Sequence, residues 1–218
     1  MTNSFETIKE RINIIANRIV EIGGEVQEIE IGAPATEDEI KSVEHQLGTT
    51  LPESFKQVLL NFSGDFSFRW FFPEEFELPY KYREIFSGIP YWSLHLLSDV
   101  EEGRRGCVEQ IFPNPEDEYD KVWHNKLAFM EVGNGDYLAF DLSEDRDFPI
   151  VYLSHNDGEG HGYIIGNNFI DFLNNWSRIG FVGPEDSQWL PFVESAQSGI
   201  NPEGVSAIEF RGLLGINI

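Results

Sequence analysis

Cationic side chains are scarce in this chain. Its 218 residues hold 15 Lys and Arg against 38 Asp and Glu, a formal net charge of −23 at pH 7. Proteins grip DNA, RNA and anionic lipid surfaces through Lys and Arg, so a field of this sign argues against all three as partners. It attracts basic proteins instead and steers their encounter. Acidity also serves solubility alone, and charge by itself does not separate the two readings. Cysteine is scarcer still. Cys107 stands alone, which forbids an intramolecular disulfide and suits a reducing cytoplasm. Its place in the pattern Val100, Gly103, Cys107, Val108, Ile111 reads as a buried helix residue rather than a nucleophile. No apolar run approaches bilayer length, so no membrane-spanning helix is expected. No basic segment leads into an apolar one near the start, so no secretory signal is expected and the chain reads as cytoplasmic.

What the chain does carry is clear local punctuation, above all from Thr36 to Gly64. Thr36 with Glu39 spells a capping box, in which hydroxyl and carboxylate each satisfy an orphan N–H. Ile40, Val43 and Leu47 recur at helical spacing, and Gly48 supplies a left-handed stop that costs little without a Cβ. Pro52 restarts the helix where a missing N–H is harmless. Phe55, Val58, Leu59 and Phe62 then form a second apolar stripe, which Gly64 is expected to close.

The rest of the chain reads as one large domain with an appendage. A first helix is expected over about Phe5 to Ile22, capped by Asn3 with Glu6 and ended by Gly23-Gly24. Val26 to Ile31 alternates as an edge strand, and Phe66, Phe68 and Trp70 alternate as another. Residues 73–93 are rich in Pro and aromatics without a period and read as an irregular insertion. Ser98 with Glu101 suggests a capping box for a helix to about Phe112. Residues 113–120 form an acidic loop whose prolines exclude helix. A hairpin follows, 127–132 and 137–142 around Gly133-Asn134-Gly135-Asp136, whose residues tolerate positive φ. Further strands are expected at 149–155 and 163–166, and then a helix capped by Asn168. Beyond Gly183-Pro184 two helices are expected, one over about 185–198 and one from Pro202. The organisation expected is therefore a domain over 1–183 and a helical extension over 184–218 packed on it.

Two separated segments resemble one family. The first is the helix pair, with LG-x-x-LP-x-x-F followed by LL-x-x-x-G; the second is residues 133–176. Together they are similar to the SUKH superfamily, which includes the fungal cell-wall-synthesis regulators of the Smi/Knr type and bacterial immunity proteins of polymorphic toxin systems. The likeness covers about 30–180 in order, but not the insertion at 73–93 or the segment after Gly183. It implies an α+β fold with a central, mainly antiparallel sheet flanked by helices. It also implies protein binding without catalysis, with a cognate toxin, often a nuclease, as the partner. A regulatory or scaffold role of the cell-wall type is the alternative.

The candidate sites follow from chemistry. His155, Asp157, Glu159 and His161 offer N and O ligands within seven residues, but no second ligand cluster accompanies them, and polar turn residues are the plainer reading. Asp136 and Asp141 flank a strand with no geometric reason to meet as an acid/base pair. No nucleophile elbow, phosphate loop or H-E-x-x-H is present. No catalytic residue, metal or cofactor is expected. Trp70, Trp123 and Trp176 read as core. The rings at Phe71, Phe72, Phe76, Tyr80, Tyr82, Tyr91 and Trp92 suit either an interface or self-packing, and self-packing is the simpler. Three acidic groups remain: Glu116, Asp117, Glu118 and Asp120; Glu144, Asp145 and Asp147; Asp157 and Glu159. All border the β region and can share one negative face for a basic protein partner, against the bland reading of a solvated surface.

Overall fold

The computed structural model describes residues 2–143 and 148–218. Helix α1 (Thr2–Glu21) starts earlier than expected, which puts Asn3 inside it rather than at its cap. Its isoleucine stripe is buried from Ile8 to Ile19. Strand β1 (Glu25–Ile31) follows, then α2 (Glu37–Leu47), α3 (Glu53–Asn61) and β2 (Asp65–Phe71). The Thr36 capping box is complete: the Glu39 N–H donates to Thr36 Oγ1 at 3.3 Å and the Thr36 N–H to Glu39 Oε2 at 2.7 Å. Gly48 stops α2 at φ 70°. Pro52 sits at the cap of α3, and Phe62 rather than Gly64 closes that helix.

The aromatic insertion is more regular than its sequence suggests. After a 3-10 turn (Tyr80–Tyr82), it contributes β3 (Ser87–Gly88) and β4 (Tyr91–Ser93), and both pair antiparallel with β2. Strands of two and three residues are too short to display alternation. β1 pairs along nearly the whole of β2, so β3 and β4 share its other edge. Contact there is close: a Cβ on Gly88 would lie 2.1 Å from Trp70 Nε1.

Helix α4 (Leu97–Gln110) and the short α5 (Asp120–Trp123) lead to the second sheet. That sheet is a plain antiparallel meander of β5 (Lys126–Glu131), β6 (Tyr137–Asp141), β7 (Ile150–Leu153) and β8 (Ile164–Gly166). Ser98 and Glu101 do not cap α4. The Ser98 hydroxyl donates to Gln46, while Glu101 is buried and bonds Arg104, Arg105 and the Ala128 N–H. Tertiary partners outcompete the local cap, because a buried carboxylate needs every acceptor position filled.

Helix α6 (Phe169–Arg178) is capped as expected by the Asn168 side chain. Residues 185–198 hold only α7 (Asp186–Trp189) and a 3-10 turn (Leu190–Phe192), not one long helix. Pro191 removes the N–H that continuation requires. The last helix, α8 (Val205–Leu214), starts three residues after Pro202.

One large core joins α1, α2, α3, α6 and the C-terminal elements to the inner faces of both sheets. Phe55 anchors it, with ring centroids 4.6 Å from Phe169 and 5.2 Å from Phe140. Trp70, Trp176, Trp189, Phe192 and Phe210 belong to the same core. Trp123, Phe112, Tyr137 and Val151 form a second, smaller core on the opposite face of β5–β7, with half-buried Cys107 packed against it. The result is an α+β fold of antiparallel sheets flanked by helices, with the strands divided between two sheets. Among the described residues no helix is long and apolar enough to cross a membrane.

Candidate protein-binding surface

The acidic loop at 113–120 is built by its own carboxylates. Asp117 Oδ1 accepts from the Tyr119 N–H at 2.8 Å and the Asp120 N–H at 3.1 Å. These bonds, the Asp120 one foremost, hold the Asp117 carboxyl below its ordinary value. Asp120 accepts from the Asn114 N–H at 3.0 Å and opens α5 rather than lying in the loop. Glu116 and Glu118 are exposed, and no described ion pair engages them.

Tyr119 joins this loop to the one at 155–161. Its hydroxyl donates to the Ser154 carbonyl at 2.6 Å and accepts from the Asp157 N–H at 3.0 Å. Its ring stacks on His161 with centroids 3.8 Å apart. His161 Nδ1 accepts from the Ser154 N–H and its Nε2 faces the Tyr119 carbonyl, a pattern that fits the neutral ring protonated at Nε2. Burial pushes its pKa down, although the Tyr119 bond and the charges of Asp136 and Asp157 oppose that. Asp157 (at positive φ) and Glu159 are exposed on this second loop. Two of the three acidic groups therefore lie side by side. The third, Glu144, Asp145 and Asp147, lies outside the described residues.

Asp136 has a role beyond the turn to which its sequence assigns it. It is buried and accepts from the His155 N–H at 2.8 Å, His155 Nδ1 at 2.6 Å and Asn134 Nδ2 at 2.9 Å. Tyr152 Oη also donates to it and takes a bond from the Asp186 N–H. The tyrosine's pKa rises, chiefly through burial and then through this carboxylate. Asp186 in turn accepts from the Gly160 N–H at 3.0 Å. Asp136 thus ties the hairpin turn, β7, the 155–161 loop and α7 together. Apart from Asn134 in the same turn, its side-chain partners Tyr152 and His155 lie 16 and 19 residues away, and no local spacing announces them.

Asp141 sits at the other end of β6, where Lys126 pairs with it at 2.9 Å, so it does not meet Asp136. His155 has its Nδ1 on Asp136, and among the described residues no hydroxyl or thiol bonds its Nε2. No group of three or more His, Cys, Asp or Glu among the described residues is placed to hold a metal ion. What this arrangement can do is present acidic side chains on two loops that are hydrogen-bonded to each other.

Of the insertion's rings, Tyr82 and Trp92 are core, while Phe72 and Phe76 stack on each other at 4.6 Å. Tyr80 is exposed, under the Arg83 guanidinium. Self-packing accounts for most of them.

No curated protein matches the chain. Residues 34–175, more than half of it, match the family model described as the SMI1 / KNR4 family (SUKH-1). That span runs from the helix pair through both acidic loops to α6, and the chain belongs to the SMI1/KNR4 (SUKH-1) family.

Proposed function

We propose that this protein is a non-catalytic binding module, an immunity protein that neutralises a cognate toxin by stoichiometric association through its acidic rim. The observation that carries this reading is the tie at Tyr119, which holds the loops 113–120 and 155–161 side by side. Loops held in one arrangement present their acidic residues to a basic surface at lower entropic cost than mobile loops do. The net charge of −23 favours the same class of partner. A basic nuclease fits, since these carboxylates would then stand where substrate phosphates otherwise bind. The cytoplasm of the toxin-producing cell or its sibling is the compartment in which such a protein acts.

The test is co-expression with the protein encoded by the neighbouring gene, joined to a pull-down. Rescue of growth with a one-to-one complex is expected. Several weak partners without rescue would favour a regulatory or scaffold module instead. Glu116, Glu118 and Glu159 are the cleanest rim probes, because no described backbone bond depends on their carboxylates. Changing all three to Gln is expected to slow association by about tenfold at low salt and to flatten its salt dependence.

A further inference from the structure

The first sheet is open at a cleft of about 460 Å³ walled by Phe71, Phe86 and Ile89, and again along its free edge. That edge is β1, which pairs with β2 and with no other described strand. Two bonds fix which way its backbone groups point. The Gly32 N–H donates to the Asp65 carbonyl at 2.8 Å, so in an antiparallel ladder Glu30 with Ser67, and Glu28 with Arg69, exchange the next bonds. From the far side of β2, the Phe68 N–H donates to the Pro90 carbonyl at 3.0 Å, so Phe68 turns its polar groups away from β1. Ile29 and Ile31, opposite Phe68 and Phe66, therefore point N–H and C=O out of the sheet, and no described group bonds them.

The side chains of the edge alternate in charge. Ile29 and Ile31 share the core side with Phe68 and Phe66, yet Ile29 is 45% exposed. Glu28 and Glu30 stand on the outer side, both exposed, and the Ser67 hydroxyl donates to Glu28 Oε2 at 2.8 Å. Arg69 is the one cation in register with them, and Glu25, beyond the bulge, adds a third carboxylate. An unpaired edge ordinarily invites a second copy of the same strand. Two copies paired antiparallel about Ile29 would set Glu28 of each against Glu30 of the other, and like charges directly opposite repel. The same carboxylates favour a strand of opposite charge.

We propose that β1 takes an extended segment of the partner protein as an added antiparallel strand, with Lys or Arg opposite Glu28 and Glu30 and an apolar residue between them beside Ile29. The inference rests on the protein-binding reading above and goes beyond it by naming a second contact, remote in sequence from the acidic rim. The outward N–H and C=O groups of Ile29 and Ile31 supply bonds that any extended chain can make. The alternating side chains then choose among such chains. Basic residues meet the glutamates on one face, and on the other the apolar residue covers the open flank of Ile29.

A titration that needs no toxin tests the proposal. The full ¹⁵N-labelled chain receives the blocked peptide acetyl-Lys-Val-Lys-Val-Lys-amide, and in parallel the same peptide N-methylated at both valines. Methylation keeps every charge but removes the donors that would meet the Ile29 and Ile31 carbonyls. The first peptide is expected to shift amides at 25–31 saturably and to slow hydrogen exchange at Ile29 and Ile31. The methylated one is expected to bind about tenfold more weakly. Glu28 and Glu30 are exposed, so changing both to Gln leaves the fold intact and is expected to weaken the first peptide about threefold or more. Equal binding of the two peptides would reduce the edge to a patch of charge and overturn the proposal. So would shifts confined to 113–120 and 155–161, or none at up to about 5 mM peptide. Failure of growth rescue with this titration intact would sink the immunity reading alone; the reverse result would sink only the added strand.

Discussion

The two sheets of this protein have four strands each and share antiparallel pairing, but they differ in what covers them. β2 alternates: Phe66, Phe68 and Trp70 are buried, while Ser67, Arg69 and Phe71 look outward to solvent and the cleft. β5, β6 and β7 are buried almost throughout, with Phe129 and Phe140 on the large core and Ala128, Ala139 and Val151 under α4 and α5. A sheet closed on both faces can act only as scaffold, and it offers function at its connecting loops. A sheet with one open face can offer that face itself. The acidic rim belongs to the first case, and the cleft over Phe71 and Phe86 to the edge of the second.

The comparison breaks most visibly where the covered sheet is pinned. Glu101 is 2% exposed and joins Arg104, Arg105 and the β5 backbone at Ala128. Glu101→Ala would leave the buried Arg104 guanidinium with the Trp123 carbonyl but no counter-charge, and the buried Ala128 N–H without an acceptor. A loss of about 3–5 kcal/mol is expected in chemical denaturation, since one half of a buried ion pair is removed. A loss under about 1 kcal/mol would mean that water reaches Arg104 and that the second face is less closed than its burial indicates.

His161 probes the loops attached to that sheet. His161→Ala removes the acceptor of the Ser154 N–H, and a loss of about 1–3 kcal/mol is expected. The pH dependence has a definite sign. The folded-state pKa lies below the ordinary value of the ring, so the unfolded chain binds the proton more readily. The stability from the neutral ring is therefore complete above about pH 6.5 and is lost as pH falls through that value toward the folded-state pKa. Protonation would set an N–H of the ring against the Ser154 N–H. Stability measured from pH 8 to 5 is expected to fall more steeply for the wild type than for the alanine variant. Parallel curves would show that His161 does not carry the junction.

Legibility in the sequence follows the same division. Alternation in β2 and the caps at Thr36 and Asn168 are local, each complete within four or five residues, and all three hold in the structure. The Ser98–Glu101 pattern is equally local and fails, because the Ala128 N–H of β5 takes the Glu101 carboxylate together with Arg104 and Arg105 of the same helix, and Gln46 takes the Ser98 hydroxyl. β3 and β4 are set by pairing with β2 rather than by any period of their own. Of the rim, Glu116, Asp117, Glu118, Asp157 and Glu159 are legible as charge. Asp136 and Tyr119, which bring the loops together, are not, because their partners are distant in sequence.

Thr36→Ala is expected to cost about 1 kcal/mol, the usual worth of a helix N-cap, since α2 packs on α4 and does not touch either open surface. A matched loss in denaturation with unchanged association with the protein partner would place α2 wholly within the scaffold.

The smallest effect belongs to the open face. Arg69 is exposed on β2 opposite Glu28, with no described ion pair, and its backbone stays in the β1–β2 ladder whatever side chain it carries. Arg69→Ala is therefore expected to change stability by less than about 0.5 kcal/mol. A loss above about 1 kcal/mol in chemical denaturation would instead mean that Arg69 helps to hold the sheet and that this face is less open than its exposure indicates.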